Sequence, residues 1–561
     1  MPVRSENALP LVHKSICIIG AGAAGLCAAR NCARLPNVSI TIFEQGAQHG
    51  GTWVYEADPD VGSIGSSMYE SLVTNLPKEV MAFREFPFES FSSDSFVKRE
   101  EVLRYLEQYS KPIASCIQYN CRVVNVEPIY EEDLLLSDID KLNIHSVTHS
   151  LSNRVLWKVG VISTDSSQQQ LLSSDKTRLD RVVFYYFDCV FVCNGHLSMP
   201  KMPSFAKRYS KRAIHSHYYR TPTAFEGMKK VAVIGAGPSG CDISAQLVGH
   251  VPEILLLYKN SVPVQPPFGR LRNAGVREAA VVGADADALF LSDGSRVDDL
   301  DCVIYCTGYD YNFPFMVHTV DSATDAATVN EIVVDNKADD LEKPTLDASS
   351  TMPLTLRKNE PDSPLLRLEA EGRVIRPLYA HVAHVHYPKS LFFIGLPFVT
   401  VPFLLFEQQV NFAIALLSGR LNVPDNEIHD FEKKRFHEMK MAGIPRNLFH
   451  RLDNRQWEHY EWMWQNYSTA LPYVTEKNDA LSHKTLAEKL RVPAVIAAIY
   501  NHCDAERRRD VEKYHKIRYK IMDETTFEAF YPFDYPFAPL QTAGCSAICR
   551  YDAKSAIANE I

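Results

Sequence analysis

Three features are absent from this sequence of 561 residues, and each absence excludes a class of protein. It contains no Cys-x-x-Cys motif, so a redox-active cysteine pair of the disulfide-reductase kind is excluded. Lysine and arginine form no long run and the net charge is -9, which argues against a nucleic-acid partner. The longest apolar stretches, such as residues 399–406 and 492–499, are too short to cross a bilayer.

The two ends of the chain also carry no targeting or anchoring pattern. Residues 1–14 are polar and lack the apolar core of a signal peptide, and residues 551–561 carry charges and no hydrophobic anchor. These patterns predict a cytoplasmic protein with no membrane span.

The 13 cysteines do not indicate a disulfide framework. Their number is odd, and most lie in short apolar runs that are typical of buried strands. Cys189 and Cys193, like Cys302 and Cys306, are four residues apart, which along a strand is about 13 Å and beyond disulfide reach. We interpret them as small buried hydrophobic side chains.

What the sequence does contain is a repeated glycine-rich turn. The first copy runs from Gly20 to Gly25 and the second from Gly235 to Gly240, and each follows an apolar run that predicts a buried parallel strand. The glycines allow the backbone to approach a pyrophosphate, and the helix that follows offers free N–H groups to it. A single such turn is weak support for a nucleotide site, but two with matched strands are strong.

The residue 19 positions beyond each turn differs in charge between the two copies. Glu44 follows the first turn and favours a free ribose, as in FAD or NAD, because a carboxylate accepts hydrogen bonds from the 2′-OH and repels a 2′-phosphate. Lys259 follows the second turn and favours the phosphate of NADP. Two dinucleotides on one chain imply electron transfer between them.

The length and composition, with 46% hydrophobic and 23% charged residues, are those of an ordinary globular protein of two or three lobes. Two apolar strands that end in a polar-Gly turn, residues 190–195 and 303–308, suggest the connections between two domains. The predicted fold class is therefore α/β, with two Rossmann-like dinucleotide-binding domains, the second inserted in the first.

The predicted boundaries divide the chain into four regions: 1–220 and 309–424 for the two parts of the first domain, 221–308 for the inserted domain, and 425–561 for a helical C-terminal extension. Residues 130–188 read as a β-hairpin or meander with a long polar tip. Residues 321–371 are acidic and rich in Ser, Thr and Asp, which suggests a surface insertion in the second part of the first domain.

Seven motifs, in this order, resemble those of the flavin-containing monooxygenases, the class B flavoproteins that oxygenate soft nitrogen and sulfur atoms. The resemblance covers most of residues 15–410. It rests on residues 20–25, on Glu44 with Gly50-Gly-Thr-Trp53, and on residues 74–79, 192–196, 215–219, 235–240 and 306–309. It implies that FAD and NADPH are the cofactors, and that an amine, thiol or thioether is oxygenated by O₂ through a hydroperoxide at C4a of the flavin. The expected partners are this small nucleophile and O₂, with a homodimer as one possible assembly.

The resemblance also implies which residues contact the cofactors. At FAD these are Gly20, Gly22, Ala23, Ala24, Gly25, Glu44, Gly51, Thr52, Trp53, Thr74, Asn75 and Gln408. At NADPH they are Gly235, Gly237, Pro238, Ser239, Gly240 and Lys259. No metal is expected, because His215 and His217 lack the spacing and the cysteine or histidine neighbours of a metal site.

Asn75 is the candidate catalytic residue. The cofactor supplies the chemistry, so the protein needs a dry pocket and polar donors rather than a nucleophile. An amide donates hydrogen bonds and holds no labile proton, which suits this role. From local sequence alone, Asn75 also fits a turn before Pro77, Trp53 fits a core aromatic, and residues 407–409 fit a solvated helix start.

One motif departs from the family pattern. Tyr209 and Lys211 stand where the family has Phe and Gly. Without the glycine, the family's backbone turn before His215 is not expected from the sequence. Ser216 and Tyr219 favour the nitrogen- and sulfur-oxygenating branch over the related Baeyer–Villiger enzymes. A Baeyer–Villiger or N-hydroxylating enzyme remains the alternative, with a non-catalytic dinucleotide-binding module as the third hypothesis.

Overall fold

In the computed structural model of this chain, the described residues are 13–58, 65–88, 93–130, 155–165, 182–259, 274–316, 318–320, 365–470, 482–532, 534–536 and 547–553. Most of the predicted acidic insertion lies outside these residues, as do residues 131–154 and residues 166–181, which include most of the polar tip of the predicted meander.

The elements of the first region are β1 (Lys14–Ile19), α1 (Ala23–Cys32), β2 (Val38–Phe43), α2 (Lys78–Met81), α3 (Arg99–Ser110), β3 (Ile117–Gln118), β4 (Cys121–Tyr130), β5 (Val155–Ser163), β6 (Val183–Phe187), β7 (Cys189–Val192) and β8 (Met199–Pro200). The inserted region contains β9 (Ala213–His215), β10 (Lys230–Ile234), α4 (Pro238–Leu247), β11 (Glu253–Tyr258), β12 (Ala274–Glu278), β13 (Val281–Ala284), β14 (Leu289–Leu291), β15 (Arg296–Val297) and β16 (Cys302–Tyr305).

The chain then continues through β17 (Tyr309–Asp310), β18 (His318–Val320), β19 (Leu366–Glu369), β20 (Val374–Arg376), β21 (Leu378–Tyr379), β22 (Ala383–His384), β23 (Leu391–Phe393) and α5 (Pro402–Leu417). The C-terminal region contains α6 (Asp425–Met441), α7 (Arg455–Tyr467), α8 (Ser482–Leu490), α9 (Ala494–Arg509), β24 (Arg518–Ile521), β25 (Thr526–Tyr531) and β26 (Ala547–Asp552).

The first domain is built on a sheet with the strand order β21-β22-β23-β7-β1-β2-β3. Strand β1 pairs in parallel with β2 on one side and β7 on the other, so the winding direction reverses at β1. Helices α1, α3 and α5 bury their apolar faces against one side of this sheet. The antiparallel sheet β4-β5-β6 packs on the other side, with Trp157 fully buried between them.

The second domain repeats the plan with the strand order β12-β11-β10-β16-β9. All four pairs of neighbours in this sheet are parallel. The predicted fold of two Rossmann-like domains is confirmed. Strand β9 pairs with β16, so this sheet begins at Ala213, which is upstream of the boundary expected at residue 221.

The C-terminal extension corrects one expectation. Four helices extend to Arg509, but residues 518–521, 526–531 and 547–552 form the antiparallel sheet β24-β25-β26, so a helical assignment is wrong for these residues. In β25, buried and half-buried residues alternate, which is the two-residue period of a strand covered on one face. Because charged and aromatic residues are mixed throughout this region, the two-residue period of β25 was not distinguished from the helical pattern that precedes it.

Within the described part of the chain, none of the helices combines the length and the apolar character that crossing a membrane requires.

Candidate active site

The first glycine turn joins β1 to α1. Gly20 has a φ of 97°, and a Cβ there would lie 2.7 Å from the carbonyl oxygen of Cys193. A Cβ on Gly25 would lie 1.9 Å from the Gly20 oxygen, so helix and strand are packed too closely for any side chain. Helix α1 begins with Gly22 as its N-cap and has no side-chain cap, which leaves its first N–H groups to bind a phosphate.

Glu44 lies directly after β2 and is 9% exposed. Its carboxylate accepts hydrogen bonds from the backbone N–H groups of Ala21 (2.7 Å) and Gly46 (2.8 Å). Burial raises the pKa of Glu44, while these backbone donors oppose the rise. A carboxylate has about four lone-pair positions, so these bonds leave capacity to accept from a ribose hydroxyl group.

The Gly50–Trp53 motif packs directly on this turn. Gly50 donates its N–H to the Ala21 oxygen at 3.0 Å, and a Cβ on Gly51 would lie 2.8 Å from the Cα of Gly22. Two backbone segments therefore meet where the sequence expects the pyrophosphate. Trp53 is half-buried and packs against the core of the first domain, while Thr52 forms a hydroxyl contact with Ser67 at 3.3 Å.

Asn75 lies in the first region, three residues before α2, where that region contacts the C-terminal extension. Its side chain is exposed, and its backbone oxygen lies 3.9 Å from the thiol of Cys503 in α9. Thr74 is buried: its N–H donates to the Val97 oxygen and its hydroxyl accepts from the Val97 N–H. The main chain thus holds the Asn75 position firmly, while its side chain is exposed.

The second glycine turn, between β10 and α4, has the same construction. Gly235 has a φ of 105°, and a Cβ there would lie 2.4 Å from the Cys306 oxygen. A Cβ on Gly240 would lie 1.8 Å from the Gly235 oxygen. At Gly237 no atom lies within 4 Å of the added Cβ, so space is left above the turn. Helix α4 begins at Pro238 with no side-chain cap on its N-terminus.

Both turns therefore fit a dinucleotide: each combines a side-chain-free backbone with an uncapped helix N-terminus at the carboxyl ends of parallel strands. Lys259 is exposed at the end of β11, the place that Glu44 takes after β2. Each charged residue follows the strand that pairs with the one before its glycine turn, as the repeat predicts.

The amides of Gln408 and Gln409 differ in the groups that they bind. Gln408 is fully buried, its Nε2 donates to the Leu490 oxygen (2.8 Å) and its Oε1 accepts from Tyr467 (2.7 Å), so its amide binds protein groups. Its neighbour Gln409 accepts from the Gly395 N–H at 2.8 Å, and its buried Nε2 has no hydrogen-bond partner. Adjacent helix residues point about 100° apart, and the sequence did not indicate which of the two faces the end of β23. Gln409 is therefore a further cofactor-facing candidate beside Gln408.

His215, at the end of β9, bonds to the segment that follows the neighbouring strand β16. Its Nε2 donates to the Gly308 oxygen at 3.1 Å. Burial, and to a smaller extent the nearby His217, lowers the pKa of His215 to about 4. The histidine is therefore neutral at physiological pH. Lys211 is exposed and does not have a positive φ, so the turn before His215 forms without the family's glycine.

A family model described as flavin-binding monooxygenase-like matches residues 13–133, 160–265 and 273–352, which is more than half of the chain. The protein belongs to the flavin-binding monooxygenase-like family.

Among curated relatives, the flavin-containing monooxygenase FMO GS-OX5 of Arabidopsis thaliana is 28% identical over 472 residues, covering 80% of this chain and 84% of the relative. Among solved structures, S-allyl-L-cysteine S-oxygenase from Allium sativum superposes with a TM-score of 0.65 at 26% identity, covering 90% of this chain and 96% of that one. Tmm from Pelagibacter sp. strain HTCC7211 (TM-score 0.56, 21% identity, 89% of this chain and 92% of that one) shows the same fold.

The protein is therefore an NADPH- and O₂-dependent flavin monooxygenase that oxygenates soft nitrogen or sulfur atoms of a small molecule. Its cofactors are FAD and NADPH. The predicted family, enzyme class and cofactors are confirmed.

Lys259→Ala is expected to reduce the preference for NADPH over NADH, because the lysine would otherwise pair with the 2′-phosphate. A hydrogen bond to a charged group contributes about 1.5–3 kcal/mol, so the ratio of the two kcat/KM values should fall about tenfold or more. Steady-state kinetics with each coenzyme measures the ratio. Lys229→Ala is the control, since Lys229 is exposed at the amino end of β10, on the opposite edge of the sheet. An unchanged ratio in Lys259→Ala would show that Lys259 does not bind the 2′-phosphate of NADPH.

Proposed function

We propose that the atom oxygenated by this enzyme is the sulfur of a small thioether. The observation that carries the proposal is the similarity, over nearly the full length of both chains, to a solved enzyme named as an S-oxygenase. A thioether also suits a dry pocket, because it is uncharged at every pH. An alkylamine is mostly protonated near pH 7 and must lose its proton before it can react.

In this proposal, the turn at residues 20–25 and Glu44 bind FAD, and the turn at residues 235–240 and Lys259 bind NADPH. FAD, once reduced by NADPH, supplies the activated oxygen. The chain's own part is to exclude water and to place hydrogen-bond donors. Asn75 supports the proposal as a donor, because its amide is exposed on a segment whose backbone is fixed on both sides.

We also propose that the enzyme works in the cytoplasm. Twelve cysteines among the described residues are free. Six of them lie in strands or helices of the two nucleotide domains as buried side chains (Cys17, Cys27, Cys32, Cys189, Cys241 and Cys302), and buried Cys193 directly follows β7. Reduced cysteines are typical of reducing compartments. Immunoblotting of fractionated cells measures the location, and recovery in a membrane or secreted fraction would contradict it.

The substrate proposal predicts a ranking among three compounds that share a carbon skeleton: a thioether, an amine and a ketone. The FAD-loaded enzyme should convert the thioether to its sulfoxide with the highest kcat/KM, by about tenfold or more. NADPH consumption and mass spectrometry of the product measure each rate. Preference for the amine would indicate N-oxygenation, and ester or lactone formation from the ketone would indicate a Baeyer–Villiger enzyme; either result contradicts the proposal.

A further inference from the structure

A hydrogen-bonded junction connects the first domain to the helix that follows the second glycine turn. The Tyr69 hydroxyl donates to the carboxylate of Asp242 in α4. Gln246, one turn further along α4, donates to the same carboxylate oxygen at 3.1 Å and accepts from Ser71 at 2.8 Å. Two residues of one domain are thereby bonded to two residues of the other, across 173 and 175 positions of sequence.

Tyr69 is more than a surface contact. It is 6% exposed and packs in the apolar core of the second domain, with its ring 5.4 Å from that of Tyr219. Val511, from the C-terminal extension, lies in the same core. Three regions of the chain therefore meet at Asp242: the first domain, the second domain and the extension.

Asp242 is not required by the nucleotide fold itself. The two glycine turns align residue by residue, and the position of Asp242 in α4 corresponds to Cys27 in α1, which is a fully buried apolar side chain of the core. Both donors to Asp242, Tyr69 and Gln246, are neutral, and burial raises its pKa to about 6. Asp242 is half-buried, and both donors bonded to its carboxylate are neutral, so a role beyond packing is indicated.

The segment that begins at Tyr69 ends at the candidate catalytic residue. Glu70 donates its N–H to the Arg220 oxygen, and four residues later Thr74 donates to the Val97 oxygen of the first domain. Asn75 follows at once. The segment 69–75 is thus anchored in the second domain at its start and in the first domain at its end.

We propose that Asp242 is a positioning residue: through Tyr69 it holds the NADPH-binding domain in a fixed orientation to the segment that carries Asn75, and so controls how fast bound NADPH reduces the flavin. Asp242 lies within α4, whereas Lys259, which would bind the 2′-phosphate, follows the end of β11. Its loss should therefore affect the rate of reduction and not the affinity for NADPH.

The test uses FAD-loaded Asp242→Asn, Tyr69→Phe and the double variant, mixed with NADPH under anaerobic conditions without substrate. The limiting rate of flavin reduction should fall about tenfold or more in each single variant, since small misplacements of reacting groups cost up to about a hundredfold. The Kd for NADPH should stay close to that of the wild type. The double variant should be no slower than the slower single variant, because the pair acts as one unit.

The control is Asp301→Asn, a carboxylate-to-amide change in the same domain. Asp301 accepts hydrogen bonds from the N–H groups of Lys229 (2.6 Å) and Lys230 (2.9 Å), so its contacts stay within that domain. The control should reduce the flavin at the wild-type rate. An unchanged limiting rate in Asp242→Asn, or a weaker Kd as its main effect, would overturn the proposal.

Hydrogen–deuterium exchange of the FAD-loaded protein without NADPH gives a readout that needs no turnover. In Asp242→Asn and Tyr69→Phe, residues 69–75 and 238–247 should both exchange faster, and in Asp301→Asn neither should. Faster exchange confined to residues 238–247 would show a purely local role in α4 and contradict the proposal. Since neither O₂ nor a thioether is present in these assays, they are independent of the proposed sulfur substrate.

Discussion

Glu44→Arg protein should purify with little or no FAD. The substitution removes a buried acceptor of two backbone hydrogen bonds and places a cation beside the uncapped, positive end of α1. Losing hydrogen bonds to a charged group costs about 1.5–3 kcal/mol, which corresponds to roughly ten- to a hundredfold in Kd before the charge repulsion is added. The ratio of flavin to protein absorbance after gel filtration measures the occupancy.

Two variants separate the ribose contact from general damage to the fold. Glu44→Gln keeps a hydrogen-bond acceptor in place and should bind FAD with intermediate affinity. Glu253→Arg reverses a charge on the exposed end of β11, where Glu253 pairs with Lys230, and should keep its flavin. Wild-type occupancy in Glu44→Arg would show that the first glycine turn is not the FAD site.

Asn75→Ala should still be reduced by NADPH, and yet should release hydrogen peroxide in place of oxygenated product. The amide is expected to donate a hydrogen bond near the reacting oxygen, and removing one such donor can cost a few kcal/mol of stabilisation. The yield of product per NADPH should fall at least about tenfold. Anaerobic reduction by stopped flow, together with peroxide and product assays in air, measures the two steps separately.

Asn75→Asp distinguishes the two interpretations of this residue. Aspartate forms the same turns as asparagine but, when ionised, donates no hydrogen bond. If Asn75 acts as a donor, the Asp variant should lose coupling as severely as the Ala variant. If Asn75 serves only the turn before Pro77, the Asp variant should retain wild-type coupling. Asn422→Ala, at an exposed position bonded to Lys389, is the control and should remain coupled.

The parts of the fold that the sequence could predict are those that depend on local geometry. Gly20 and Gly235 have positive φ, and Gly25 and Gly240 leave no room for a Cβ, so only glycine can occupy these four positions. Each lies within a single strand-turn-helix unit, and the unit can be recognised without knowing what packs around it. The positions of Glu44 and Lys259 could be predicted for the same reason, because each residue directly follows the second strand of its strand-turn-helix-strand unit.

The sequence could not predict which side chains of distant segments contact each other. Gln408 and Gln409 are adjacent on α5 and chemically identical, and only the packing of Tyr467 against one and Gly395 against the other separates them. Tyr69 and Asp242 are 173 positions apart, and neither belongs to a glycine turn.

By itself, the sequence determined the family, the two glycine turns and the likeness between them, because these rest on backbone requirements that few residue types satisfy. The tertiary structure decided the orientation of each buried amide, the sheet at the end of the C-terminal extension and the junction at Asp242. The physical reason is that these features depend on which side chains meet after folding, and hydrophobic periodicity and residue spacing describe only one segment at a time.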